Sequence, residues 1–180
     1  VALAGYYVMA FAGAVSLIWR IKMADVTMHA AAPVGAVLTA VALLTGAIWG
    51  KPTWGTWWVW DARITSMLIL LFLYLGVVAL FEAYENKTAA ARACAVLSLV
   101  GTVNIPIIYK SVDWWYSLHQ PASIKFTGES AIDSSMLYPL LLMIAAFYCL
   151  FVLIVLLNMR AELVWNHREA NWLQQMVRKV

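Results

Sequence analysis

Tryptophan is concentrated in one part of the chain, around the stretch "WGTWWVWDARIT" at residues 54–65. An indole ring buries about 150–250 Å² when it is covered, which corresponds to several kcal/mol at roughly 25 cal/mol per Å². Several indoles together therefore predict a platform for a large, flat, apolar ligand of porphyrin size. The alternative is an aromatic belt at a membrane surface, but a belt occurs at both surfaces and takes one or two residues per helix end. The predicted platform consists of Trp49, Trp54, Trp57, Trp58, Trp60, Trp114 and Trp115.

Four polar residues beside these tryptophans have chemistry that suits such a ligand. His119, five residues after Trp114, has an imidazole that can ligate haem iron, although a loop histidine without a role is the alternative. Arg63 and Lys51 can pair with ligand carboxylates, or Arg63 can extend to lipid headgroups. Asp61 directly precedes an apolar run, so it is expected to cap a helix N-terminus and to organise the loop.

The composition is that of a membrane protein. Hydrophobic residues make up 64% of the chain and charged residues 12%, whereas soluble domains average about 45–50% and about 25%. The net charge of +3 is small and scattered, which argues against nucleic acid as a partner. Cys94 and Cys149 both lie in apolar runs without a C-x-x-C motif. They are expected to be small buried residues, and covalent haem attachment to this chain is not indicated.

Five stretches approach the roughly 20 apolar residues that cross a bilayer as a helix. Pro33 is expected in the first turn of the second stretch, where helix amides lack partners, and Pro106 is expected to kink or end the fourth. The fold class is therefore all-α, a polytopic membrane bundle over residues 1–157 with five transmembrane helices. The stretches are approximately 2–19, 29–49, 64–81, 90–109 and 137–157.

Basic residues divide unequally between the two sides of this predicted bundle. Seven of the twelve lysines and arginines fall in the connections 20–28 and 82–89 and in the C-terminal segment, and Arg92, just inside the end of the fourth stretch, makes eight on this side. Because positive residues collect on the cytoplasmic side, the loops at about 50–63 and 110–136 are expected to face outward, to the periplasm in a bacterium. Residues 158–180 alternate charged and apolar residues at helical spacing and are expected to form a cytoplasmic amphipathic tail.

The stretch "WGKPTWGTWWVWDARIT" resembles the tryptophan-rich WWD signature of haem-handling proteins. Together with "APVGAVLTAVALLTGAIWG" and "VNIPIIYKSVDWW", it is similar to the CcmC family of System I cytochrome c maturation. The resemblance implies a bacterial inner-membrane protein of six spans, whose periplasmic tryptophan domain holds haem b non-covalently between two loop histidines. His119 matches the second of these. The first lies before the family's second span, so we expect this five-span chain to begin after that loop.

The resemblance also implies a set of partners. They are ABC transporter subunits of the CcmA and CcmB type, a small single-span subunit of the CcmD type, and a periplasmic haem chaperone of the CcmE type, to which haem is passed. No nucleophile elbow, phosphate loop or other ATP-binding motif is visible, so the chain is expected to be a non-catalytic subunit.

Two alternative functions are weighed against haem handling. A b-haem redox subunit would need paired histidines within spans, and only His29 approaches one. A transporter moving haem across the bilayer would need a polar or cavity-lining path at mid-depth, and the five spans carry almost no central charge.

Overall fold

The computed structural model describes residues 1–115, 119 and 132–166, and within this part the chain forms helices and no strand. The predicted loop residues 116–118 and 120–131, and the tail from 167 to 180, lie outside the described residues. The helices are α1 (Ala2–Trp19), α2 (Lys22–Trp54), α3 (Ala62–Ala83), α4 (Lys87–Gly101), α5 (Asn104–Trp114) and α6 (Ser134–Asn166).

Five helical segments are long and apolar enough to cross a membrane, with α4 and α5 together forming the fourth of them. This confirms the predicted all-α polytopic bundle with five transmembrane helices. Because the helices run alternately up and down, the end of α2, the start of α3 and the end of α5 meet at one end of the bundle. All of the predicted site residues belong to this end.

Helix α2 is longer at both ends than the predicted span 29–49, since it runs from Lys22 to Trp54. Pro33 therefore lies inside the helix and not in its first turn, as proline does in membrane helices when its surroundings compensate for the lost amide. At 1.5 Å per residue the helix is about 50 Å long, whereas the hydrocarbon layer is about 30 Å thick. Residues 50–54 thus belong to a helix that extends past the membrane core.

The break in the fourth span lies before Pro106, at Thr102 and Val103 between α4 and α5. Proline has no amide hydrogen for the carbonyl four residues earlier and its ring collides with that carbonyl; here this residue is Thr102. The backbone instead forms hydrogen bonds that span three residues and not four, from Thr102 N to Leu99 O at 3.1 Å and from Ile105 N to Thr102 O at 3.1 Å. Pro106 therefore lies in the first turn of α5 and does not end the span.

The core lies among α1, α2, α3 and α4, around two buried tyrosines. The rings of Tyr6 and Tyr74 meet edge to face with centroids 5.1 Å apart, and the Tyr74 hydroxyl donates to Ala2 O at 2.8 Å. Helices α2 and α3 approach closely because residue 35 is glycine: a Cβ there would lie 2.1 Å from the Tyr74 ring. This packing fixes the start of α1 beside α2 and α3.

Helix α6 packs mainly on α2, with Phe151 and Val155 as its buried residues in that contact. Near the predicted cytoplasmic end, His29 Nδ1 lies 2.8 Å from Glu162 Oε2. His29 therefore connects α2 to α6 and lies inside α2, not at its end. Helix α6 also continues to Asn166, beyond the predicted boundary at 157. Cys94 is buried as expected, but Cys149 is exposed, since it lies on this peripheral helix.

The first turn of α6 is held by Asp133. Its Oδ1 accepts from Ser135 Oγ at 2.6 Å and from Ser135 N at 2.8 Å. The hydrogen bond from the Ser135 side chain, followed by the one from its backbone, holds the pKa of Asp133 below its usual range. The end of the predicted loop is thereby fixed to a helix N-terminus.

Candidate functional site

A cavity of about 600 Å³ lies at the tryptophan-rich end of the bundle. This volume falls within the roughly 300–1,000 Å³ typical of ligand sites. Its walls come from the start of α1, from α2, α3 and α5, and from Phe147 of α6. The residues on α2 run from Leu38 to Trp54, which spans about 24 Å along the helix. The cavity is therefore deep and largely apolar, with an aromatic end.

The turn after α2 shapes the aromatic end. Gly55 closes the helix in a left-handed conformation with φ of 78°, which glycine adopts without the strain that a Cβ would cause. Its amide donates to Lys51 O at 3.0 Å, and Lys51 Nζ donates to Gly55 O at 3.0 Å. The reversal places Trp57 and Trp58 at the cavity beside Trp54. Lys51 thus holds the helix end and is not among the described lining residues.

The predicted tryptophan platform divides into two groups. Four of the seven line the cavity, namely Trp49, Trp54, Trp57 and Trp58. The other three are outside the described lining and mostly exposed: Trp60 meets Trp58 with ring centroids 5.5 Å apart, and Trp114 and Trp115 meet each other at 5.9 Å.

The rings that line the cavity meet edge to face. The Trp49 and Trp54 rings lie at 86° with centroids 5.3 Å apart. Trp54 also meets the His119 ring, at 68° and 4.7 Å. Edge-to-face contacts are favourable for aromatic pairs, and they fix the orientation of both Trp54 and His119. The indole and the imidazole therefore form a single aromatic corner of the cavity.

Asp61 and His119 come together although 58 positions separate them in the sequence. His119 Nδ1 lies 2.8 Å from Asp61 Oδ2, and the two side chains are 22% and 5% exposed. Asp61 Oδ1 accepts from Ile64 N at 2.8 Å, which confirms the predicted N-cap of α3. One carboxylate thus holds both a helix end and the histidine of the cavity.

Two groups at the cavity suit the carboxylates of a ligand. Arg63 is the one lysine or arginine among the described lining residues, and a guanidinium matches carboxylate geometry. Trp58 also lines the cavity, and its Nε1 is buried with no acceptor among the described residues. A buried donor without a partner costs about 1–3 kcal/mol, which a ligand oxygen would relieve. The lining therefore fits a flat apolar ring that carries acidic groups and a metal open to an imidazole.

Some of the cavity wall is not evident from the sequence. Leu38, Met67 and Phe147 line the cavity from three different helices, and Ala2 and Leu3 line it from a fourth. Apolar residues in a membrane span have the same sequence pattern whether they face lipid, core or a ligand. Only the close approach of the helices distinguishes these five.

Together, the fold and this cavity define a multi-pass helical membrane protein with an aromatic ligand cavity at one end. The family model for heme exporter protein C, CcmC, matches residues 1–174. The chain therefore belongs to the CcmC family.

Individual relatives agree with this family. The chain is 53% identical to heme exporter protein C of Bradyrhizobium diazoefficiens over 94% of its own length and 64% of the relative's. It is 45% identical to the protein of the same name from Escherichia coli K12, over 97% of this chain and 70% of that one. It is 46% identical to heme exporter protein C of Haemophilus influenzae, over 95% of this chain and 70% of that one. The chain thus spans about two thirds of the length of these relatives.

Proposed function

We propose that this chain is a haem-binding subunit of the bacterial inner membrane, which holds haem in the tryptophan-lined cavity and passes it on for c-type cytochrome maturation. One observation carries the proposal: an imidazole, a guanidinium and four indoles line the same cavity of about 600 Å³. The relatives' name, heme exporter protein C, supports haem as the ligand.

Each group has a distinct task in this proposal. The four lining tryptophans retain the macrocycle by contact and by exclusion of water. His119 supplies one axial ligand to the iron, and Arg63 binds a propionate. Neither cysteine is among the described lining residues, so haem b is held non-covalently. The chain acts as a non-catalytic subunit, because its task is to present the ligand at an accessible edge.

The recipient and the partners that we propose are those implied by membership of the CcmC family. The cavity belongs to the end predicted to be periplasmic, with residues 158–180 on the cytoplasmic side. A CcmE-type haem chaperone in the periplasm is the recipient that we propose. CcmA- and CcmB-type ABC transporter subunits and a CcmD-type single-span subunit complete the proposed complex, in which the ABC transporter hydrolyses ATP.

Haem transport across the bilayer is the second candidate function, and the depth of the cavity along α2 favours it. Blocking the deep part separates the two. If the chain only holds haem, Leu38→Trp leaves haem at the aromatic end of the cavity and its delivery in the periplasm intact. If it transports haem, the same variant stops delivery while haem remains at the cytoplasmic face.

The direct test is the haem content of the detergent-purified complex with paired histidine variants. His119→Ala is expected to lose most of the Soret absorbance, because it removes the proposed iron ligand. His29→Gln is the matched control, since His29 pairs with Glu162 on α6 and does not line the cavity. If His119→Ala keeps its full haem while the His29 variant loses it, the proposed site is in the wrong place.

A further inference from the structure

We propose that Asp61 is a positioning residue that sets the tautomer and orientation of His119, so that Nε2 is the nitrogen offered to iron. The inference rests on the proposed function, because it concerns how the chain prepares its iron ligand. It assigns Asp61 a task beyond capping α3.

The tautomer follows from the contact itself. An ionised carboxylate only accepts hydrogen bonds, so at 2.8 Å from Asp61 Oδ2 the His119 Nδ1 must carry the hydrogen. A neutral imidazole has one such hydrogen, and Nε2 then keeps its lone pair. Metal-ligating histidines in proteins usually donate a hydrogen bond from one ring nitrogen to a carboxylate, a carbonyl or water and bind the metal through the other.

Asp61 is itself held in place. Its Oδ1 accepts from Ile64 N at 2.8 Å, at the N-terminus of α3, where the helix dipole stabilises a negative charge. The side chain is only 5% exposed, so competition from water is small. The hydrogen bond to Asp61 therefore fixes the imidazole relative to the start of α3.

A second element also contacts the imidazole. The Trp54 ring, in the last turn of α2, lies 4.7 Å from the His119 ring at 68°. His119 is thus held between the end of one transmembrane helix and the start of the next. This arrangement gives a loop residue the fixed geometry that an axial ligand needs.

Asp61→Asn separates the two tasks of the carboxylate. Asparagine caps helices as well as aspartate does, so α3 is retained. With its oxygen on Ile64 N, its NH₂ group faces His119 Nδ1, which must then accept, and the hydrogen moves to Nε2. We expect about 10–100-fold weaker haem binding, with loss of the low-spin absorbance bands and their partial return when free imidazole is added.

The matched control is Asn86→Asp, the same pair of residue types at the N-cap of α4, at the opposite end of the bundle. It is expected to leave the haem spectrum unchanged. If Asp61→Asn folds to the wild-type yield and keeps both its haem affinity and its low-spin bands, Asp61 only caps α3 and the proposal is overturned.

A measurement on the wild-type complex keeps the proposal testable even if Asp61→Asn does not fold. The ¹⁵N chemical shifts of His119 in histidine-labelled, haem-depleted complex report which ring nitrogen carries the hydrogen. We expect Nδ1–H; an Nε2–H signal overturns the inference. Because this readout needs no haem, it stands apart from the test of haem binding by His119→Ala.

Discussion

Gly35 offers the sharpest test of the packing that builds the cavity wall. A Cβ at this position would lie 2.1 Å from Cε1 and Cζ of Tyr74, whereas ordinary contact begins at 3.4 Å. The Tyr74 ring is fully buried and cannot move aside freely, since it packs edge to face on Tyr6. Gly35→Ala must therefore displace either the ring or the α2 backbone by more than an ångström.

The cost of this displacement has two parts. Overpacking of a filled core costs about 1–3 kcal/mol. If the ring moves, the hydroxyl of Tyr74 loses its acceptor, Ala2 O at 2.8 Å, and an unsatisfied buried donor adds about 1–3 kcal/mol. Alanine recovers only about 1 kcal/mol through its higher helix propensity. If the ring moves, the net destabilisation is therefore about 1–5 kcal/mol, and if the α2 backbone moves instead it is at most about 2 kcal/mol.

Gly46→Ala is the matched control, because Gly46 lies on the same helix and a Cβ there has nothing within 4 Å. It is expected to be neutral or slightly stabilising. Thermal unfolding of the purified protein in detergent measures both variants; a loss of 2 kcal/mol corresponds to roughly 4–8 °C for a chain of this size. Equal midpoints for the two variants would refute the close approach of α2 and α3 at Gly35.

Two further predictions concern the cavity. Gly46 is also a lining residue, so the ring in Gly46→Phe should lie in the cavity. This variant should keep a melting temperature close to that of wild type but lose most of the bound haem. An unchanged Soret band would show that the ligand lies elsewhere. Arg63→Gln should weaken binding of haem by about 10–100-fold, as expected for a charge-assisted hydrogen bond worth about 1.5–3 kcal/mol, but not binding of haem dimethyl ester. Lys51 Nζ donates to Gly55 O, so Lys51→Gln should weaken the binding of neither haem nor its dimethyl ester. If Lys51→Gln weakened haem binding and Arg63→Gln did not, the assignment of Arg63 to the propionate would be contradicted.

The five spans were predictable because crossing a bilayer demands long apolar runs, and these are visible without any tertiary information. The exact bounds were not. Helix α2 continues to Trp54 because a helix does not have to end where the hydrocarbon layer ends. The break before Pro106 falls at Thr102 and Val103, since proline disturbs the turn that precedes it.

The candidate site was predictable to a similar degree. The cap by Asp61 was expected because capping depends on residues three positions apart. Residue type and position in the loops singled out His119, but its contact with Asp61 joins residues 58 positions apart. No local pattern contains that pairing.

The amino-acid sequence by itself determined the membrane class, the number of spans and the candidate residues of the proposed site, because hydrophobicity, charge and residue chemistry are local properties. Only the tertiary structure decided that Trp49, Trp54, Trp57 and Trp58 share a cavity while Trp60, Trp114 and Trp115 lie outside its described lining. It also decided that Lys51 closes a helix while Arg63 lines the cavity. These distinctions depend on where α2 ends, how the chain turns at Gly55 and how closely α3 approaches, which are properties of the packed helices and not of any one segment.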